Sequence, residues 1–233
     1  MSSPGARDVV GAALAIYRWH FVTLAGMSLV VFAVLVTVDA LVRLAVSPDG
    51  GGLPLPTAGV WLITGLWVFG SALFAGLCDT VVATAFGHPE PPLSVAWRRL
   101  PYARLLLLDV IITTLVTVGM ALLVVPGVVA FALTCIAAPL LVFEHLDVRT
   151  ALGRSARLMR PRLGLGVVVV ALPVLVEHEV VHALDELTGL PGIVAFGLRL
   201  AGIVLVIAPV TLCEVVLAHA LTDRPIEVVV VPK

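Results

Sequence analysis

The chain has 233 residues, 61% hydrophobic and 12% charged, with a mean hydropathy of +1.16 and a net charge of −1. A soluble domain is about half apolar and about a quarter charged, so this composition excludes one and describes a protein solvated by lipid. The near-zero charge offers no footing for nucleic acid. Cys78, Cys135 and Cys213 each lie in an apolar run and read as small buried hydrophobes, with no disulfide framework.

In chain order, "RDVVGAALAIYRWHF" (residues 7–21) is a short basic amphipathic stretch. A first span follows over about 21–46; it is too long for a signal-peptide core and reads as a retained helix. Asp39 and Arg43, at i and i+4, pair on its far end. "SPDGGGLPLPT" breaks the helix, and span two covers about 58–86, with small residues in "SALFAG" (Ser71–Gly76) for close packing. "GHPEPPLSVAWRRLPYAR" is a polar, proline-rich connection. Spans three and four, about 102–125 and 128–143, form a tight hairpin turning at "VPG" (Val125–Gly127). "PLSVAWRRLPYARLL" and residues 147–162 are a second and a third basic amphipathic stretch, one before each hairpin; the third sets Val148, Ala151, Leu152, Ser155, Ala156 and Met159 near one face, with the arginines opposite. That is the pattern of a helix lying in the headgroup layer. Spans five and six cover about 163–184 and 193–221.

The expected fold is therefore all-α: a single membrane domain over 1–233, six spans in three hairpins, with short cytoplasmic amphipathic helices. Of the 14 lysines and arginines, all but Arg43 and Arg199 fall on one side of this layout. The positive-inside rule puts that side, and both termini, in the cytoplasm, in an inner membrane. Arg149, Arg154, Arg157, Arg160 and Arg162 are candidate contacts for anionic phospholipid headgroups.

The stretch "VVPGVVAFALTCIAAPLLVFEHLDVRTALGRSARLMRPRLG" (residues 124–164) resembles the six-span membrane domain associated with glycerophosphoryl diester phosphodiesterases and its stand-alone relatives. Pro126, Gly127, Pro139, Glu144, Ser155, Arg157 and Leu158 carry the resemblance, and the rest of the chain agrees in span layout. The resemblance implies the fold and supplies no catalytic residues. No segment here is long enough for the phosphodiesterase barrel.

Two sets of polar residues are candidates for chemistry. "HEVVH" (His178–His182) matches the zinc-protease pattern: two histidines on one helical face, with Glu179 as general base on a metal-bound water. The apolar stretch before Glu177, residues 163–176, spans about 21 Å, which puts the motif at the outer boundary of the ~30 Å core. A catalytic zinc needs a third protein ligand. Asp185 and Glu186 are on the same helix, Asp39 and Asp49 are the other outer acids, and His20, His88, His145 and His219 fall on the cytoplasmic side. The motif therefore reads as a wet, acidic helix end. No metal or cofactor is expected, and a zinc protease is kept as the alternative.

The second set is Asp79, Asp109, Glu214 and His219, all in the cytoplasmic half of their spans. Charge at membrane depth is costly and marks function by default. Here it reads first as carboxylates paired with interfacial arginines, and alternatively as a transport pathway through Asp79, Asp109 and Glu214. Pro139, Pro173 and Pro209 are read as kinks. The resulting expectation is a non-enzymatic membrane protein in envelope or lipid homeostasis. Its partners are the bilayer, anionic headgroups and a membrane-protein partner or a second copy.

Overall fold

The computed structural model describes residues 5–45, 57–86, 93–171, 173, 176 and 192–222; every described element is helical. Helix α1 (Ala6–Trp19) starts where the Asp8 carboxylate accepts a hydrogen bond from the Gly5 amide at 3.0 Å. It buries Val9, Ala12, Ala13 and Ile16, a stripe at helical spacing, against the last helix of the chain. After a turn at His20, α2 (Phe21–Ala45) buries Leu24, Val31, Phe32 and Leu35 while Val22, Leu29, Val30 and Val34 stay exposed. Exposed valines and leucines along a whole helix face are lipid-facing surface.

Helix α3 (Thr57–Ala85) packs against α2, with Phe74 and Trp67 on Phe32, ring centroids 5.6 and 5.9 Å apart. The short α4 (Leu93–Arg99) leads into α5 (Tyr102–Leu122), whose outer side (Leu106, Leu107, Val110, Leu115 and Val118) is exposed.

The chain reverses at Leu123, in extended backbone (φ −162°, ψ 146°), and α6 (Val124–Thr134) runs back along α5. The predicted turn at Val125–Gly127 is thus displaced. Pro126 sits in the first turn of α6, where amides have no intrahelical partner and the missing N–H costs nothing. The predicted fourth span is also two pieces. Pro139, in the first turn of α7 (Ala137–Phe143), has no N–H for the Cys135 carbonyl, and the helix breaks at Cys135–Ile136.

Helix α8 (Val148–Met159) is capped by Asp147, which accepts from the Thr150 amide (3.2 Å) and hydroxyl (2.6 Å). It is amphipathic as predicted, but its apolar face meets protein. Ala151, Ser155 and Met159 are buried against α6 and α7, and the Ser155 hydroxyl donates to the Leu133 carbonyl at the frayed end of α6, 2.8 Å away. Arg154 meets Glu144, at the end of α7, through both carboxylate oxygens (2.6 and 2.7 Å).

A 3-10 turn (Arg160–Arg162), α9 (Leu163–Gly166) and a π-helical turn (Val167–Ala171) follow; most of the predicted fifth span lies outside the described residues. Helix α10 (Gly192–Leu221) is the central element, touching α1, α2, α3 and α7, and is buried on nearly every side from Thr211 to His219. Pro209 interrupts its ladder and frees the Leu205 carbonyl, which accepts from the Tyr17 hydroxyl of α1 at 3.3 Å.

Among the described residues, four helices are long and apolar enough to cross a membrane: Phe21–Val38, Tyr102–Leu122, Val124–Phe143 (α6 and α7 together) and Phe196–Leu221; Phe69–Ala85 of α3 is a shorter apolar stretch. The chain is on these grounds an all-helical membrane protein.

Candidate functional site

The four predicted intramembrane polar residues resolve into two arrangements. Asp109 and Glu214 line one cavity of about 220 Å³, walled by α3, α5, α6, α7 and α10. Helical spacing explains how each wall forms. Ser71 and Ala75 on α3, Asp109 and Ile112 on α5, and Ile207, Thr211 and Glu214 on α10 recur every three or four residues and so share a face. Phe131, Thr134, Cys135 and Ala138 follow the same spacing across the junction of α6 and α7 and complete the wall.

The cavity is rich in acceptors and poor in donors. The Ser71 hydroxyl donates to its own helix at Trp67 (3.1 Å), and Thr134 to Ala130 and Phe131 (2.9 and 3.3 Å). Oδ2 of Asp109 is buried with no hydrogen-bond partner. No lysine, arginine or histidine is among the described residues lining the cavity. Two carboxyls on one largely apolar cavity, with the Ser71 and Thr134 hydroxyl protons already committed, make a site for a cation, a proton or an N–H donor.

Asp79 and His219 form the second arrangement. Asp79 is 6% exposed and His219 fully buried, and Nε2 of the imidazole is 2.8 Å from Oδ1 of the carboxyl. The hydrogen bond that the sequence reading assigned to an arginine thus goes to a histidine, because the α3–α10 contact sets the two side chains opposite each other. The ring stacks on Phe143 (centroids 4.6 Å apart, planes at 23°) and touches Phe86 (5.7 Å). Its Nδ1 is buried without a hydrogen-bond partner. Asp79 also lines a second cavity of about 200 Å³ with Thr80, Arg99, Leu100, Phe143 and His145. His145 sits there in left-handed backbone (φ 54°), which few non-glycine residues adopt, histidine among the more frequent.

Of the candidate headgroup contacts, Arg149, Arg157 and Arg160 are exposed, on the side of α8 opposite its buried face. Arg154 is committed to Glu144, and Arg162 donates to the Leu158 carbonyl (3.4 Å). His178, Glu179 and His182, with Glu177, Asp185 and Glu186, lie outside the described residues, as do the side chains of Asp39, Arg43 and Arg199. The described residues hold no group of three metal-ligating side chains.

Sequence reasoning missed Ser71, Thr134 and Thr211 as cavity walls. The available signal was a hydroxyl on the same helical face as an acid: Thr211 lies one turn before Glu214. Compared with known proteins, the chain matches no family model, no curated protein and no solved structure.

Proposed function

We propose that the chain is a non-enzymatic, multi-span protein of the cytoplasmic membrane that takes a small cation or a proton into the acidic cavity and passes it across the bilayer. One observation carries this reading: Asp109 and Glu214, from different helices, line a single cavity whose Ser71 and Thr134 hydroxyls donate elsewhere. Intramembrane acids facing the bundle interior are the usual parts of ion and proton pathways. In this reading six spans leave both termini and the Arg99 end of the molecule in the cytoplasm, following the arginine asymmetry. The likeness to the membrane domain associated with glycerophosphoryl diester phosphodiesterases bears on fold. Of its carried residues, Pro126, Gly127, Pro139, Glu144 and Ser155 all serve the packing of α5 to α8. The zinc-protease alternative with Glu179 gains no support from the described residues.

The test is ion flux in liposomes holding the purified protein. Proton or monovalent-cation flux above that of empty liposomes is expected. Asp109→Asn and Glu214→Gln should each lower it about tenfold or more, the scale on which a positioned proton carrier acts. Flux equal to that of empty liposomes, or unchanged in both variants, sinks the reading.

The exposed Arg149, Arg157 and Arg160 favour a second role, contact with anionic headgroups, which fits a place in envelope or lipid homeostasis. Each should contribute about 1 kcal/mol near an anionic surface, less at high salt. The protein should be more stable in anionic than in neutral bilayers, and replacing the three by Gln should erase the difference. Equal stability in both bilayers removes this role.

A further inference from the structure

Asp79 and Arg99 line one cavity of about 200 Å³ and make no ion pair with each other. Helix α3 supplies Asp79 and Thr80 to its wall, the end of α4 supplies Arg99, and the chain just after α7 supplies His145. Two contacts fix the α4 side. Leu100 seats against Gly76 of α3, where a Cβ would lie 2.9 Å from its Cδ2, and the Tyr102 hydroxyl donates to the Trp97 carbonyl. The cavity is graded in charge. Asp79, 6% exposed, is its buried wall, and the exposed Arg99 and His145 are at its mouth. The His219 imidazole takes Oδ1 of Asp79 and leaves Oδ2. Among the described residues nothing else bonds the Asp79 carboxyl, and the side chains of Arg99 and His145 hold no ion pair or hydrogen bond. Opposite charges at the edge of a low-dielectric core attract strongly. Where they line one cavity and stay unpaired, the space between them suits a guest that carries both charges. At about 200 Å³ that space far exceeds the roughly 10–15 Å³ that one bridging water needs.

We propose that this cavity binds a phosphoethanolamine group, with its primary ammonium at Asp79 and its phosphate at Arg99 and His145. The inference is independent of the acidic cavity and of the transport reading. Asp79 turns away a bare anion and Arg99 a bare cation, so charge selects a zwitterion. Oδ2 of Asp79 is a hydrogen-bond acceptor without a partner, so it selects an N–H donor over a quaternary ammonium, which has none. At the mouth, a guanidinium and an imidazole offer N–H donors to phosphate oxygens. Glu144, next to His145, is held by Arg154 and does not compete for it. The setting favours a phospholipid as the source of the group. Trp97 and Arg98, beside the mouth on α4, are exposed, and aromatic and basic side chains gather at headgroup level. The phosphate then stays in the headgroup layer, the amine reaches inward to Asp79, and the acyl chains remain in the bilayer.

The experiment is native mass spectrometry of the full chain in detergent, with equimolar lipids of one chain length. These are phosphatidylethanolamine, its N-methyl and N,N-dimethyl derivatives, phosphatidylcholine and phosphatidylglycerol. Phosphatidylethanolamine should be retained about tenfold or more over phosphatidylcholine and phosphatidylglycerol, the scale of one charged hydrogen bond. Across the series retention should fall furthest at the last N-methyl, which removes the last N–H. Asp79→Asn should bring phosphatidylethanolamine down to the level of phosphatidylcholine, and Arg99→Gln should lower its retention about tenfold. Arg98→Gln, next to the cavity but not lining it, should leave retention unchanged. Should Asp79→Asn fail to fold, the N-methyl series on wild type decides. Free phosphoethanolamine and inorganic phosphate are then competed against the bound lipid. Displacement by phosphoethanolamine at the lipid's own concentration makes the soluble ester the ligand; displacement that needs about tenfold more, or fails, makes it the lipid. Inorganic phosphate competing as well as phosphoethanolamine overturns the zwitterion. Equal retention of phosphatidylethanolamine, phosphatidylcholine and phosphatidylglycerol, or retention within about twofold of wild type in both Asp79→Asn and Arg99→Gln, overturns the site.

Discussion

Tyr17 repairs a defect that Pro209 creates. The proline leaves the Leu205 carbonyl without its helical donor, and the Tyr17 hydroxyl, from another helix, takes the vacant place at 3.3 Å. Tyr17→Phe should therefore cost about 0.6–1 kcal/mol in detergent unfolding, with the helix count unchanged; no loss would mean that the carbonyl has another donor. Asp147 is a second single-residue device. Its hydrogen bonds from the Thr150 hydroxyl and amide hold the carboxyl below the usual carboxylate range. A depressed folded value means that the cap's stabilisation is complete above the unfolded value, about pH 4, and fades as the pH falls through the lower folded one. Protection of the first-turn amides of α8, taken relative to intrinsic exchange at each pH, should fall over that acid window in wild type and be low on both sides of it in Asp147→Ala. A wild-type profile flat through the window contradicts the cap. An acid ahead of an amphipathic run is a local cap signal, though only the helix is read from it above. The Tyr17–Leu205 bond was not legible, because its partners are 188 positions apart.

The α5–α6 element pair depends on two glycines in backbone contact. A Cβ on Gly119 would lie 2.8 Å from the Gly127 Cα, and one on Gly127 would lie 2.7 Å from the Met120 amide nitrogen. Neither neighbour is a flexible side-chain tip, so Gly119→Ala or Gly127→Ala forces the helices apart at about 1–3 kcal/mol. Gly153→Ala, on the open side of α8 with nothing within 4 Å, is the control and should be neutral or stabilising by up to about 1 kcal/mol. If the interface and control variants unfold alike, close packing is not what holds the hairpin. The two apolar runs were readable from hydropathy. The turn was misplaced because Pro-Gly signals a break only when the proline falls beyond a helix's first turn, and here Leu123 reverses the chain three residues earlier. For α8, periodicity identified the amphipathic helix and its faces but not what covers the apolar one. Lipid and protein select the same side chains; the hydrogen bond from Ser155 to Leu133 marks this face as protein-covered.

At the scale of the whole molecule, the testable quantity is orientation. With both termini in the cytoplasm, a membrane-impermeant thiol reagent on intact cells should label Gly50→Cys and spare Arg157→Cys until the cells are opened; the reverse pattern inverts the topology. The sequence by itself determined the solvent, the helical class and most of the apolar helices, because these follow from local quantities: hydropathy over a window, 3.6-residue spacing and the placing of arginine. It also singled out Asp79, Asp109, Glu214 and His219, since a charge in an apolar run is visible one residue at a time. Which of them meet was decided only by tertiary structure. Asp79 and His219 are 140 positions apart, and their bond exists because α3 and α10 pack side by side. Asp109 and Glu214 share a cavity because the faces of five elements leave a space there. No periodicity within a single helix encodes the distance between two helices; that distance comes from how their side chains pack.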